Sequence, residues 1–204
     1  MWEFLRAGGP FMFLLLFSSI VGLTFIIERG LVLRWKKVIP PLLQTSVENC
    51  KTLNDLPMLE RACQQEESPF GRVILSSLSH LDVPLQENMD AVQTRARHEV
   101  TQLERGLVIL EIITGIGPLL GLVGTIHGLI TLFGDLGKAG LADNTQMAKG
   151  ISIALNTTLM GLLVAIPSLV AWSYYSKKVE VFAVEMESLC DGFLRRIYRK
   201  KEQK

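Results

Sequence analysis

Four uncharged polar side chains lie close together in an apolar stretch of this chain. The 26 residues from Ile151 to Ser176 contain no Asp, Glu, Lys or Arg, but near their start they include Ser152, Asn156, Thr157 and Thr158. Hydroxyl and amide oxygens can relay a proton or coordinate a cation. In an apolar helix a hydroxyl can instead bond a carbonyl oxygen of its own helix. The four residues therefore indicate either a polar path for an ion or a helix whose hydroxyls bond only its own backbone.

A second apolar stretch, from Ile112 to Gly134, contains one titratable side chain, His127. His127 lies two positions after Thr125, so on a helix the two side chains point about 200° apart. We interpret His127 as a neutral, hydrogen-bonded residue at a subunit contact, with a proton relay as the alternative. Glu111 directly precedes this stretch. It is either a vestibule residue of an ion path or a solvated or paired carboxylate.

The central part of each apolar stretch lacks Asp, Glu, Lys and Arg. An ion path through a membrane needs an ionisable or coordinating group near the bilayer centre. If this protein moves ions, we expect the carrying carboxylate to belong to another chain. The sequence shows no metal-ligand spacing, catalytic Ser/His/Asp set or phosphate loop. We therefore expect that the protein is not an enzyme and binds no cofactor.

Small residues recur at steps of three or four in the second apolar stretch, at Gly117, Gly121, Gly124 and Gly128. This small-xxx-small pattern lets membrane helices approach closely. Gly161 is the corresponding candidate in the third stretch. We predict that these glycines pack helices together, and packing alone would explain most of them.

Three stretches are long enough to cross a membrane, because a spanning helix needs about 20 mostly apolar residues. The first is uncharged from Ala7 to Ile27 and is followed by Glu28 and Arg29 rather than by a small-residue cleavage site. It therefore reads as a retained helix and not as a cleaved signal peptide. Three buried helices of a soluble protein would be the alternative, but such helices rarely stay uncharged over this length.

The distribution of Lys and Arg predicts the orientation, since these residues accumulate on the cytoplasmic side. They follow the first and third stretches, at Arg29, Arg34, Lys36, Lys37, Lys177, Lys178, Arg195, Arg196, Arg199, Lys200 and Lys201. The N-terminus is therefore expected outside and the C-terminus in the cytoplasm. The three cysteines then lie on the reducing side, which fits free thiols. The near-neutral net charge of +1 is not typical of a nucleic-acid binder.

Prolines divide the segment between the first two spans into short helices, expected near 41–52, 56–66 and 69–81. A longer apolar stripe begins near residue 85 and is predicted to run without a break into the second span. The third span is predicted to continue as a helix past Tyr175. The expected fold is an all-α membrane protein in which helices 2 and 3 extend into the cytoplasm. The predicted segments are 1–28 (outer N-terminus and first span), 29–106 (cytoplasmic), 107–134 (second span), 135–150 (outer loop), 151–176 (third span) and 177–204 (cytoplasmic helix).

Two motifs resemble the MotA/TolQ/ExbB proton channel family. The run from Gly117 to Gly128, GPLLGLVGTIHG, is similar to the family segment APxxGLxGTVxG. The run from Gly150 to Pro167 is similar to the family segment GIxxALxxTxxGLxxAIP. The topology and loop sizes agree with the family over nearly all of the chain.

The resemblance implies a homopentameric bundle around a dimer of single-pass partners of the ExbD/TolR type, which supply a membrane Asp. It also implies a channel or stator subunit of a proton-driven rotary motor in the bacterial inner membrane. Pore hydroxyls would fall on Thr125 and Thr158, with Thr157 beside them. A TonB/TolA-like effector, or one from a gliding machinery, would be a further partner.

The chain departs from the family at two positions. ExbB and TolQ carry a Glu five residues before the pore Thr, where this chain has Ile153. His127 replaces a Trp or small apolar residue. The powered process therefore stays open between envelope transport, envelope maintenance and gliding. Protons are the expected coupling ion, with Na⁺ as the alternative, and a non-conducting membrane scaffold is the alternative function.

Overall fold

In a computed structural model, the described residues are 9–50, 52–139 and 144–202, and their regular structure is helical throughout. The helices are α1 Gly9–Val32, α2 Trp35–Val38, α3 Pro41–Asn49, a short 3₁₀ helix Leu53–Asp55, α4 Leu56–Gln65, α5 Pro69–Ser79, α6 Leu85–Glu104, α7 Leu107–Ala139 and α8 Asn144–Glu202. The all-α prediction is confirmed for this part of the chain. The outer N-terminal residues 1–8 and residues 140–143 of the predicted outer loop lie outside the described residues.

Three helical segments are long and apolar enough to cross a membrane: Gly9–Val32, Leu107–Gly134 and Gly150–Lys201. Their lengths and apolar character confirm the three predicted spans. Many large apolar side chains on them are exposed in the single chain, among them Phe17 at 67% and Leu155 at 61%. Such surfaces need lipid or other protein chains around them, because water would not solvate them.

Prolines separate the short helices, as the sequence predicted, and the helices expected near 41–52, 56–66 and 69–81 are Pro41–Asn49, Leu56–Gln65 and Pro69–Ser79. Pro41 and Pro69 are the first residues of α3 and α5. Proline suits this position because its missing N–H has no partner there in any case. The Ser68 side chain accepts a hydrogen bond from the Gly71 backbone N–H at 3.1 Å and caps α5. Two further prolines, Pro118 and Pro167, lie inside α7 and α8.

The prediction of an unbroken helix from residue 85 into the second span was wrong. Helix α6 ends at Glu104 and α7 begins at Leu107, with a turn at Arg105 and Gly106. Glycine is a poor helix former. A Cβ at Gly106 would lie 2.3 Å from Nε of Arg29, so a larger residue here would require the flexible Arg29 side chain to move. The low helix propensity of glycine is therefore the local reason for the turn.

The outer segment predicted as a loop over 135–150 is partly helical. Helix α7 runs to Ala139 and α8 begins at Asn144. The segment contains no proline, and it includes good helix formers such as Leu136 and Ala148. The helices therefore extend beyond the ends of the apolar stretches from which the loop was predicted.

The chain divides into two compact units. The first consists of Met1–Arg29 and Gly106–Tyr174, and the second of Gly30–Arg105 and Tyr175–Lys204. The first unit contains most of the three apolar segments. Its interior includes Leu15, Leu110 and Ala154, which are almost fully buried. Gly22 of α1 allows close packing there, because a Cβ would lie 3.2 Å from Oγ of Ser168.

The second unit combines the polar middle of the chain with the C-terminal part of α8, which we had predicted as separate segments. Val179, Phe182, Met186 and Phe193 of the predicted apolar stripe are fully buried, whereas Leu189 is half-buried. The Tyr198 hydroxyl donates to the Val83 carbonyl oxygen at 2.7 Å. Arg196 donates to the Val47 carbonyl oxygen at 2.9 Å. The end of α8 is thus part of this unit's core and hydrogen-bond network.

A buried carboxylate joins two helices of the second unit. Glu99 of α6 is fully buried and pairs with Arg72 of α5 at 2.5 Å and with Arg95 at 2.8 Å. Its hydrogen bonds raise the pKa of Arg72. Because Glu99 has two arginine partners, its charge is compensated inside the unit.

Candidate functional site

Helices α7 and α8 approach closely along a line of glycines. A Cβ on each of four glycines of α7 would come within 3.3 Å of an atom of α8, and these residues are Gly117, Gly121, Gly124 and Gly128. From the other side, a Cβ on Gly161 would lie 2.6 Å from the Gly117 carbonyl oxygen. Only hydrogen fits at Gly161, and a Cβ at any of the other four would press against α8, so the two helix backbones lie very close together.

Three threonine hydroxyls meet in this contact. Thr125 Oγ1 of α7 contacts Thr158 Oγ1 and lies 3.4 Å from Thr157 Oγ1, both on α8. The Gly121 carbonyl oxygen lies 3.1 Å from Thr125 Oγ1 and 3.2 Å from Thr158 Oγ1. The Ala154 carbonyl oxygen accepts from Thr157 at 2.7 Å and lies 2.9 Å from Thr125 Oγ1. We call these five oxygen-bearing groups the threonine cluster.

The threonine cluster is rich in acceptors. Each hydroxyl has one proton to donate and two lone pairs, and each helical carbonyl oxygen offers one lone pair beyond the one that accepts from its own helix. The three protons can therefore all be used within the cluster while lone pairs stay free. Such a group of neutral oxygens can accept a hydrogen bond from a protonated carboxyl group or from hydronium, or it can contact a cation. It cannot hold a charge of its own near neutral pH.

The three threonines differ in their access to other molecules. Thr157 is 1% exposed, which places its hydroxyl inside the α7–α8 contact. Thr125 and Thr158 are half-buried. Thr157 therefore supports the packing of the cluster, and the other two hydroxyls lie nearer the protein surface.

Two other polar residues of α8 lie apart from the threonine cluster. Asn156 is half-buried and has no hydrogen-bonded partner within the described part of the chain. Ser152 is exposed one turn before it. The Ile153 side chain, at the position of the family glutamate, is half-buried. The structure therefore separates Asn156 from Thr157 and Thr158, with which the sequence analysis grouped it.

His127 faces away from the threonine cluster, as its angle to Thr125 predicted. Its ring makes an edge-to-face contact with Phe11 of α1, with ring centroids 5.6 Å apart. The residue is exposed in the single chain. No sequence pattern indicated that Phe11 would be its neighbour, since the two residues lie on different spans.

Glu111 lies in the second turn of α7 and is exposed. Among the residues that the structure describes, it has no ion-pair partner. The same part of the chain contains no group of three or more His, Cys, Asp or Glu side chains that could hold a metal ion.

Sequence reasoning missed two members of the threonine cluster, the backbone carbonyl oxygens of Gly121 and Ala154. A carbonyl in a helix is normally occupied by the N–H four residues later, so it gives no sequence signal. The signal that was available is the small size of Gly121 and Ala154, which allows a hydroxyl of the other helix to reach the backbone.

A sequence profile of the MotA/TolQ/ExbB proton channel family matches residues 65–188, more than half of the chain. The chain belongs to this family. The matched range includes the whole glycine-lined contact and the threonine cluster.

Curated relatives agree with the MotA/TolQ/ExbB assignment. The biopolymer transport protein ExbB-like 1 of Synechocystis is 36% identical over 194 residues, covering 89% of this chain and 74% of that protein. ExbB-like 3 of the same organism is 30% identical over 206 residues, covering 95% and 93%. The Tol-Pal system protein TolQ of Haemophilus influenzae is 29% identical over 115 residues, covering 56% and 50%.

Proposed function

We propose that this chain is the channel, or stator, subunit of a motor driven by the proton-motive force. It would act in the inner membrane on a single-pass partner of the ExbD/TolR type. The observation that carries the proposal is the threonine cluster, which lies in the segment matched by the MotA/TolQ/ExbB family. Its acceptor-rich oxygens suit a protonated carboxyl group that is brought by another chain.

The division of labour follows from charge. The apolar segments 112–134 and 151–176 contain no Asp, Glu, Lys or Arg. A charged carboxylate is costly to place in the membrane, and protonation lowers this cost. The partner's Asp would therefore pass the apolar wall when protonated and be stabilised beside Thr125 and Thr158. The transmembrane potential contributes about 2.3 kcal/mol per charge per 100 mV to this movement.

The exposed apolar faces support an assembly of several copies. Each copy presents large apolar side chains on all three spans. A homopentamer around a dimer of the partner would cover part of this surface, and lipid would cover the rest. The N-terminus would lie outside and the C-terminus in the cytoplasm. The partner's outer domain would pass movement to a TonB/TolA-like or gliding effector.

Native mass spectrometry of the complex from its own host's membranes tests the assembly. Five copies of this chain with two copies of a small single-pass protein bearing a membrane Asp are expected. A homo-oligomer without such a partner would contradict the motor and favour a non-conducting scaffold held together by the glycine contact.

Thr158→Val tests the ion path in the assembled complex. We expect loss of ion flux and of the powered process, with the copy numbers unchanged. Thr131→Val is the matched control, because within the described part of the chain the Thr131 hydroxyl bonds only the His127 carbonyl oxygen of its own helix, at 3.0 Å. Measuring flux in proton and sodium gradients separates the two ions. Normal flux in an assembled Thr158→Val complex would refute the role of the threonine cluster.

A further inference from the structure

A groove of about 380 Å³ lies in the second unit, next to the residues that follow the first apolar segment and those that precede the second. It is lined by Val32, the last residue of α1, and by Leu103, four residues before α7 begins. Four charged residues line it as well: Lys36, Lys37, Glu66 and Glu67. Its volume lies in the range of small-molecule sites, about 300–1,000 Å³.

The sequence places this groove at the membrane surface. Lys36 and Lys37 follow the end of the first span by four and five residues. Trp35, between the span and the lysines, packs against Phe182 with ring centroids 5.3 Å apart and stays 38% exposed. Tryptophan is enriched at membrane–water interfaces. A lipid head group would therefore be at the right depth to enter the groove.

The charges in the groove are mixed. All four charged residues are exposed, and none of them forms an ion pair within the described part of the chain. A purely anionic head group would satisfy the two lysines but would be repelled by the two glutamates. A zwitterionic head group with a phosphate and a primary ammonium matches both signs. A quaternary ammonium has no N–H to donate, so it could not hydrogen-bond the carboxylates.

We propose that this groove binds the head group of phosphatidylethanolamine in the cytoplasmic leaflet. The phosphate is held by Lys36 and Lys37, and the ammonium is held by Glu66 and Glu67. Val32 and Leu103 contact the apolar part of the lipid next to the head group. The site is independent of ion conduction, since it uses none of the residues of the threonine cluster.

Lipid binding to the purified full assembly tests this site. Native mass spectrometry with phosphatidylethanolamine, phosphatidylcholine and phosphatidylglycerol of identical acyl chains gives the affinity for each lipid. We expect phosphatidylethanolamine to bind most tightly. The double variant Lys36→Gln/Lys37→Gln should weaken its binding about tenfold, equivalent to about 1.4 kcal/mol.

The carboxylates provide a test of opposite sign. Glu66→Gln/Glu67→Gln should shift the preference toward phosphatidylglycerol, because the repulsion of an anionic head group is removed. The control Lys177→Gln/Lys178→Gln removes the same charge after the third apolar segment and should leave the preference unchanged. Equal binding of the three lipids, or equal losses in the Lys36/Lys37 variant and the control, would overturn the proposal.

Discussion

The Thr125 hydroxyl of α7 lies 2.9 Å from the carbonyl oxygen of Ala154 in α8. This is a contact from a side chain of one membrane helix to the backbone of another. It is possible because Gly128 and Ala154 keep the helices close, with a Cβ on Gly128 only 3.3 Å from the Ala154 Cβ. The threonine cluster therefore depends on the glycine contact, and changes in either should affect the other.

Replacing Thr125 by Val should weaken the α7–α8 contact. The variant keeps the shape of the side chain but loses the donor to Ala154, and we expect it to lower the free energy of unfolding by about 0.5–2 kcal/mol. Thr125→Ser retains the hydroxyl and should stay closer to the wild type. Unfolding in mixed micelles measures both variants. Equal stability of Thr125→Val and the wild type would show that the hydrogen bond has no net value.

Gly161→Ala should destabilise the first unit more strongly. The added Cβ would lie 2.6 Å from the Gly117 carbonyl oxygen, and backbone cannot move aside as a flexible side chain can. We expect a loss of about 1–3 kcal/mol, typical of overpacking. Gly115→Ala is the matched control, because nothing lies within 4 Å of a Cβ there. Unfolding in the same mixed micelles measures the stability of both variants. Similar losses for Gly161→Ala and Gly115→Ala would contradict the close contact.

Glu99→Gln should destabilise the second unit. The change leaves Arg72 and Arg95 without their shared carboxylate, while both arginines remain partly exposed to solvent. We therefore expect a loss of about 1.5–3 kcal/mol, the value of hydrogen bonds to charged groups. Glu180→Gln breaks the exposed pair with Lys177 and should cost less than about 1 kcal/mol. Thermal unfolding measures the stability of both variants. Equal losses of stability for Glu99→Gln and Glu180→Gln would show that burial gives the Glu99 ion pairs no additional value.

The buried thiols should make stability fall at high pH. Burial raises the pKa of Cys190 to about 12 and that of Cys63 to about 11, from an ordinary value of 9.0. Well below pH 9 both thiols are neutral in the folded and unfolded states. As pH rises above 9, the unfolded state loses thiol protons first, so unfolding becomes more favourable up to the folded pKa.

Cys190→Ala isolates this contribution. Its free energy of unfolding should decline less steeply than that of the wild type between pH 8 and about pH 11. The slopes are compared rather than the absolute values, because the smaller side chain also leaves a cavity. Identical slopes would show that ionisation of Cys190 is not linked to unfolding. Since the thiolate is the reactive form, we also expect Cys190 in the native protein to be alkylated slowly at neutral pH.

The sequence by itself determined the helical fold, the three spans and the residues that begin the short helices. These features follow from local properties: the length of uncharged apolar stretches, the periodicity of apolar residues and the fixed φ of proline. The angle between the Thr125 and His127 side chains also follows from local structure, because each residue of a regular helix turns by about 100° and the two are two positions apart.

Only the tertiary structure decided which groups meet. It placed Arg29 over Gly106, where the predicted continuous helix instead turns. It brought Thr125 to the Ala154 carbonyl oxygen and left Asn156 aside. Phe11 and His127, like Thr125 and Ala154, lie on different helices, and the spacing along one helix does not define which residue of another helix lies opposite. Such pairings depend on how close the helices come, which here is determined by the absence of side chains at Gly117, Gly121 and Gly161.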